Sequence, residues 1–131
     1  MNELAKEILD TVEVGALATV NVDRTPLVTP LHFARLGDSI VWISEPIARH
    51  SENAFRNGKA EFVVWDDKKR AVFLKTNVTE LPESEKEAAM AAYKEKLADF
   101  MPRCQNPQIY VAPIGELDEK TTTGNWLHFI A

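Results

Sequence analysis

The sequence predicts a mainly β fold, a small β-barrel with flanking helices. Seven short runs rich in β-branched and aromatic residues are separated by turn signals. The segments between them are too short, or wrongly placed, for repeated βαβ crossovers. Seven short strands are better served by a closed barrel than by an open sheet, because closure removes exposed edges. With 131 residues, 45% of them hydrophobic and 27% charged, the chain can bury an adequate core. A single domain over 1–131 is expected.

Taken in order, residues 3–12 place Leu4, Ile8, Leu9 and Val12 at helical spacing, with Asn2 as N-cap and Gly15 as the stop. Three strands are expected at 16–22, 27–35 and 39–44, joined by Asp23-Arg24-Thr25-Pro26 and Gly37-Asp38 as an antiparallel meander. Pro46 ends the third strand, and 48–56 form a short helix stopped by Gly58 and lying on the barrel. Residues 59–65 and 70–81 form a long hairpin about Asp66-Asp67-Lys68-Lys69. Val72, Leu74 and Val78 on its second arm alternate with Lys75, Asn77 and Thr79. Pro82 and the Ser84-x-x-Glu87 capping spacing open a longer helix to Phe100, with Ala89, Ala92, Tyr93, the stem of Lys96, Leu97 and Phe100 on one face. Strands at 108–114 and 126–130 close the chain.

Charge and composition exclude several classes. A net charge of −5 disfavours general nucleic-acid affinity, and no apolar run approaches the roughly 20 residues of a membrane-spanning helix. The first ten residues lack the apolar core of a signal peptide, and Cys104 is the single cysteine, so a reducing cytoplasm is the expected location. His32, His50 and His128 are scattered without paired spacing, which gives no metal site. The five glycines are dispersed rather than gathered in a phosphate-binding loop.

Four segments in this order resemble the pyridoxamine 5′-phosphate oxidase-like, FMN-binding split-barrel family. Gly15-Ala16-Leu17-Ala18-Thr19-Val20 is similar to its first strand. Residues 23–33, DRTPLVTPLHF, are similar to its turn and second strand, where Asp-Gly-x-Pro and a Thr-Pro pair are common. Residues 39–44 with Arg49-His50-Ser51-x-Asn53 match the third strand and the helix start, often Arg-Lys-x-x-Asn. Residues 70–81 running into Pro82 match the strand before the long helix. The chain departs from the family in carrying His50 where Lys is frequent, and Arg24 and Lys75 where Gly is frequent. The arginine motif of the true vitamin B6 oxidases is absent from 124–131, so oxidation of pyridoxamine phosphate is not implied.

The resemblance implies a split β-barrel homodimer holding FMN between its subunits. Its phosphate, carrying about −1.5 to −2 charges, wants cations and N–H donors. Arg49, His50 and Ser51 supply them at a helix start, where free backbone N–H groups also favour an anion. Asn53 belongs to the same motif, and Ser44 is expected near the ribityl–phosphate end. Thr29, Pro30, Leu31 and His32 are expected along the ring edge, Pro30 on an edge strand or bulge because it cannot donate to a ladder. Trp126 and His128 share a face of the last strand, and a C-terminal aromatic in this family reaches the partner's flavin. With His50 near its ordinary pKa, cofactor affinity is expected to fall as pH rises past neutrality.

The expected function is flavin-dependent oxidoreduction of a small molecule, with catalytic residues, substrate and electron donor unspecified because the flavin carries the chemistry. Two alternatives stand beside it: a non-catalytic flavin carrier, sensor or apo barrel, and a haem-binding barrel with His32 or His128 as axial ligand. FMN suits the short phosphate motif more simply than a larger deazaflavin.

Overall fold

A computed structural model describes residues 1–131. Helix α1 (Glu3–Thr11) begins where Asn2 Oδ1 accepts the Ala5 N–H at 2.9 Å. Ala5, Ile8 and Leu9 are fully buried, and Leu4 and Val12 pack against the same core. The helix stops at Val12, which turns extended. Gly15 is not the stop: it lies within strand β1 (Val14–Val20), where a Cβ would meet the Phe62 ring at 2.4 Å and the Val63 carbonyl at 3.0 Å. Close ring-on-backbone packing, rather than turn geometry, requires glycine there.

Strands β2 (Pro26–His32), β3 (Ala34–Leu36) and β4 (Ser39–Ser44) follow, then helix α2 (Arg49–Asn57). Strands β5 (Lys59–Trp65), β6 (Ala71–Asn77) and β7 (Thr79–Glu80) lead through a 3₁₀ turn (Glu83–Glu85) into helix α3 (Lys86–Leu97). Strands β8 (Gln108–Pro113), β9 (Glu116–Leu117) and β10 (Trp126–Ile130) complete the order. One sheet runs β2-β1-β5-β6-β10-β9 and the other β3-β4-β8-β7. All pairings are antiparallel except β6 with β10.

Two runs expected as single strands, 27–35 and 70–81, each pass from one sheet to the other. The breaks fall at Phe33 and Val78, both buried. Each spare N–H finds a partner off its strand, Phe33 on the Glu13 carbonyl (3.2 Å) and Val78 on the Gly58 carbonyl (2.7 Å). These corners split the barrel. Its interior holds Leu17, Phe33, Trp42, Phe62, Leu74, Tyr110 and Phe129 with the apolar face of α1. A second cluster packs Val41, Ile43 and Ile109 against Ala89, Tyr93 and Leu97 of α3.

Three further expectations are corrected. Ser84 is exposed in the 3₁₀ turn, and neither that turn nor α3 carries a side-chain cap, so no capping box forms. Phe100 lies beyond α3, 41% exposed, and stacks on His32 with centroids 3.9 Å apart. The short β9 adds a strand. The Gly58 stop is as expected, at φ 74° with its N–H on the Ala54 carbonyl. Arg24 takes φ 70°, a left-handed conformation that costs an L residue about 1 kcal/mol. No helix is long and apolar enough to cross a membrane.

Candidate functional site

Helix α2 organises the candidate residues. Its N-cap is Ala48, which has no side-chain acceptor, so the first-turn N–H groups stay uncapped. Helical spacing then sends the side chains two ways. Arg49, Asn53 and Arg56 face an open groove of about 470 Å³ against the β1–β2 turn, opposite Asn21, Asp23 and Thr25. His50 turns instead towards the end of β4, where the buried Ser44 Oγ lies 2.7 Å from its Nε2.

Asn53 is the hub. It is 3% exposed and donates through Nδ2 to Thr19 Oγ1 (3.2 Å) and Asn21 Oδ1 (2.9 Å), while its Oδ1 accepts from Arg56 Nη2 (2.7 Å). Arg56 also donates to the Val20 carbonyl at 2.9 Å, so its guanidinium is committed to structure. Arg49 is exposed and joins none of the salt bridges, which leaves it as the groove's free cation. Two acids share the groove, Asp23 and Glu52. Hydrogen bonds from the Thr25 side chain and backbone hold the Asp23 carboxyl below its usual range, with Arg49 adding little.

Ser51 is buried, and its Oγ, like Tyr110 OH and Trp42 Nε1, has no hydrogen-bond partner in the protein. Sequence reasoning missed Asn21 and Arg56. The latter was within reach, because Arg49, Asn53 and Arg56 stand four and then three residues apart.

The second-strand candidates divide by face. Thr29 and Leu31 point to the same side as Leu17 and Gly15, towards the barrel interior, whereas Pro30 and His32 pair with Ala16 and Val14 on the outer face. Strand β2 is an edge, so Pro30 leaves no ladder bond unmade. Trp126 and His128 do share a face of β10 and flank Phe73, the His128 ring stacked on it with centroids 4.3 Å apart. Within one chain Trp126 stands four strands from β2 and does not meet the α2 residues.

Burial lowers the His50 pKa below its ordinary 6.5. The unfolded chain therefore takes up this proton first as pH falls. The stability is complete above pH 6.5 and is lost as pH falls through the folded pKa. We expect the melting temperature to drop as pH falls below 6.5, with His50→Gln flattening that slope; parallel pH profiles for the two proteins would remove His50 as the cause.

Residues 1–116 match the family model described as pyridoxamine 5′-phosphate oxidase. No curated protein matches the sequence. Among solved structures, the fold is similar to a haem-binding protein from Mycobacterium smegmatis, with TM-score 0.73 and 21% identity over 86% of this chain and 50% of that one. This chain thus spans about half the length of that relative. A FAD-binding protein from Mesorhizobium loti gives TM-score 0.67 and 21% identity, covering 88% and 91% of the two chains. The haem storage protein of Vibrio cholerae gives 0.70 and 16%, covering 86% and 88%.

Proposed function

Because this chain belongs to the pyridoxamine 5′-phosphate oxidase-like split-barrel family, we propose that residues 1–131 form one FMN-binding unit that works as a cytoplasmic homodimer and oxidoreductase. The observation that carries the reading is Arg49, a free guanidinium at the uncapped start of α2. Its charge and the first-turn N–H groups match a phosphomonoester, and Asn53 with Arg56 fixes the helix that presents them. The shared Asp23 and Glu52 carboxylates restrain that affinity and keep the groove from being a general anion trap.

The ring asks for an apolar surface completed by a second subunit. The outer face of the larger sheet offers one: Val28 is 64% exposed, Trp65 55% and Trp126 54%, with Pro30 and Phe73 among them. A two-fold partner covering this face brings its Trp126 to the site that one chain leaves incomplete. Bound flavin supplies the hydride or electron transfer. The chain's own residues bind the phosphate, exclude water from the ring and select a small molecule that fits the remaining space. FAD binding by the Mesorhizobium relative supports a flavin.

Burial of His50 and its contact with Ser44 favour the uncharged ring, which weakens the fall in FMN affinity past neutrality expected from the sequence.

The test is an absorption spectrum and elution volume after mixing with FMN and removing the excess by gel filtration. We expect a yellow dimer, with Arg49→Ala weakening FMN about 10- to 100-fold, the equivalent of one charge-assisted hydrogen bond. A yellow protein that passes electrons to no acceptor would be a carrier or sensor. A Soret band after haem addition, with no flavin retained, would assign His32 or His128 as ligand, in line with the two haem proteins of this fold. A colourless monomer would overturn the reading.

A further inference from the structure

Lys96 leaves α3 and reaches under α1. Its Nζ donates to the Leu9 carbonyl at 2.8 Å and sits 3.6 Å above the Phe33 ring centroid. The stem packs as the helical spacing predicts, but the ammonium goes inward with it. Lys96 is also one of the residues lining a cleft of about 450 Å³ between α1, β3 and α3. Asp10 comes to this cleft from α1, Glu13 from the following turn, Arg35 from β3 and Glu95 from α3. Arg35 is already held, by both Asp10 oxygens at 2.9 and 3.0 Å and by the Gly37 carbonyl at 2.7 Å.

We propose that Lys96 is a reactive amine that captures small neutral aldehydes as a Schiff base in this cleft. Its surroundings select the class of electrophile. Condensation joins the lysine nitrogen to the aldehyde carbon and releases the carbonyl oxygen as water. The product is an iminium that keeps the single positive charge over the Phe33 ring and beside Asp10 and Glu13. Acylation gives a neutral amide and loses that cation–π contact. Carbon dioxide gives an anionic carbamate facing carboxylates, with Arg35 already committed. An aldehyde bearing a phosphate or carboxylate meets the same repulsion, while Ala34 and Ala92 offer a short apolar wall.

Burial supplies the nucleophile. It lowers the Lys96 pKa from 10.5 to about 8, despite Asp10 and Glu13, which raise it. One N–H remains on the Leu9 carbonyl, which orients the amine and leaves its lone pair free. At pH 7.5 its neutral fraction exceeds that of an ordinary lysine by about two orders of magnitude, partly offset by weaker intrinsic nucleophilicity.

The experiment treats the folded chain with propionaldehyde and sodium cyanoborohydride at pH 7.5 and locates the alkylated lysines by peptide mass spectrometry. Lys96 is expected to label about tenfold faster than the other eight lysines, levelling off above pH 8 while they continue to rise. Urea abolishes the preference, and Lys96→Arg removes the fast phase while keeping the cation. Glyoxylate, an anionic aldehyde of similar size, labels Lys96 without preference. Uniform labelling by propionaldehyde, or Lys96 slower than the rest, would overturn the proposal. So would equal preference for the two aldehydes.

Discussion

Replacing Phe62 by alanine is expected to destabilise the fold by about 3–5 kcal/mol, a large part of the 5–15 kcal/mol available to a domain. Phe62 is 1% exposed at the centre of the barrel. Its ring meets Phe33 edge-on at 5.2 Å and stacks on Trp42 at 6.2 Å. Its far edge covers Gly15 so closely that even a methyl there collides with it. Truncation removes buried area and leaves a cavity that the two neighbouring rings cannot close. Urea denaturation should show a lower midpoint with an unchanged slope. The Gly15 contact gives a second arm to this test. Gly15→Ala alone destabilises by overpacking, whereas in the Phe62→Ala background the added methyl partly fills the cavity and raises the midpoint. Additive losses in the double variant would mean that ring and glycine are not coupled.

Asn53→Ala is expected to cost about 2–4 kcal/mol and to remove flavin retention with it. The substitution strands Thr19 Oγ1 and Asn21 Oδ1 and takes the acceptor from Arg56, all around a side chain that is 97% buried. This network seats α2 on the barrel, because the helix otherwise buries only Ala54 as an apolar residue. Loss of the seat lets the first turn drift from the groove. The expected pair of results is a lower urea midpoint and loss of FMN retention in buffer without urea. Arg49→Ala separates the two effects, since an exposed, unpaired arginine carries binding without stability. An Asn53→Ala protein with wild-type stability would show that α2 is held by something other than these bonds.

How much of this was readable in the sequence depends on how local the deciding interaction is. Asn2, Gly58 and the Asp66 turn act on neighbours within four residues, and the helices and hairpin they bound appear where expected. The sheet switches at Phe33 and Val78 do not announce themselves. A β-rich run looks continuous through a one-residue bend, and the bend exists because those side chains fill the barrel interior while their N–H groups bond to Glu13 and Gly58. The Ser84-x-x-Glu87 spacing misled for a related reason: Pro82 starts a 3₁₀ turn that consumes Ser84 before α3 begins. For the site, Arg49 and Asn53 were legible through the likeness of Arg49-His50-Ser51-x-Asn53 to the family's motif. The Ser44–His50 contact joins a strand end to a helix across Pro46 and depends on the turn between them, which spacing does not encode.

The parallel seam between β6 and β10 has a kinetic consequence. Residues 71–75 stand beside residues 126–130 with α3 and three strands intervening in the chain. Every other neighbour of β6 in the larger sheet is supplied locally by the β5 hairpin. Closing this seam therefore carries the sheet's heaviest loop-closure entropy before any of its contacts repay it. Until it closes, the free edge of β6 can recruit another chain's strand in place of its own, so dilute refolding favours the barrel and crowded refolding favours aggregates.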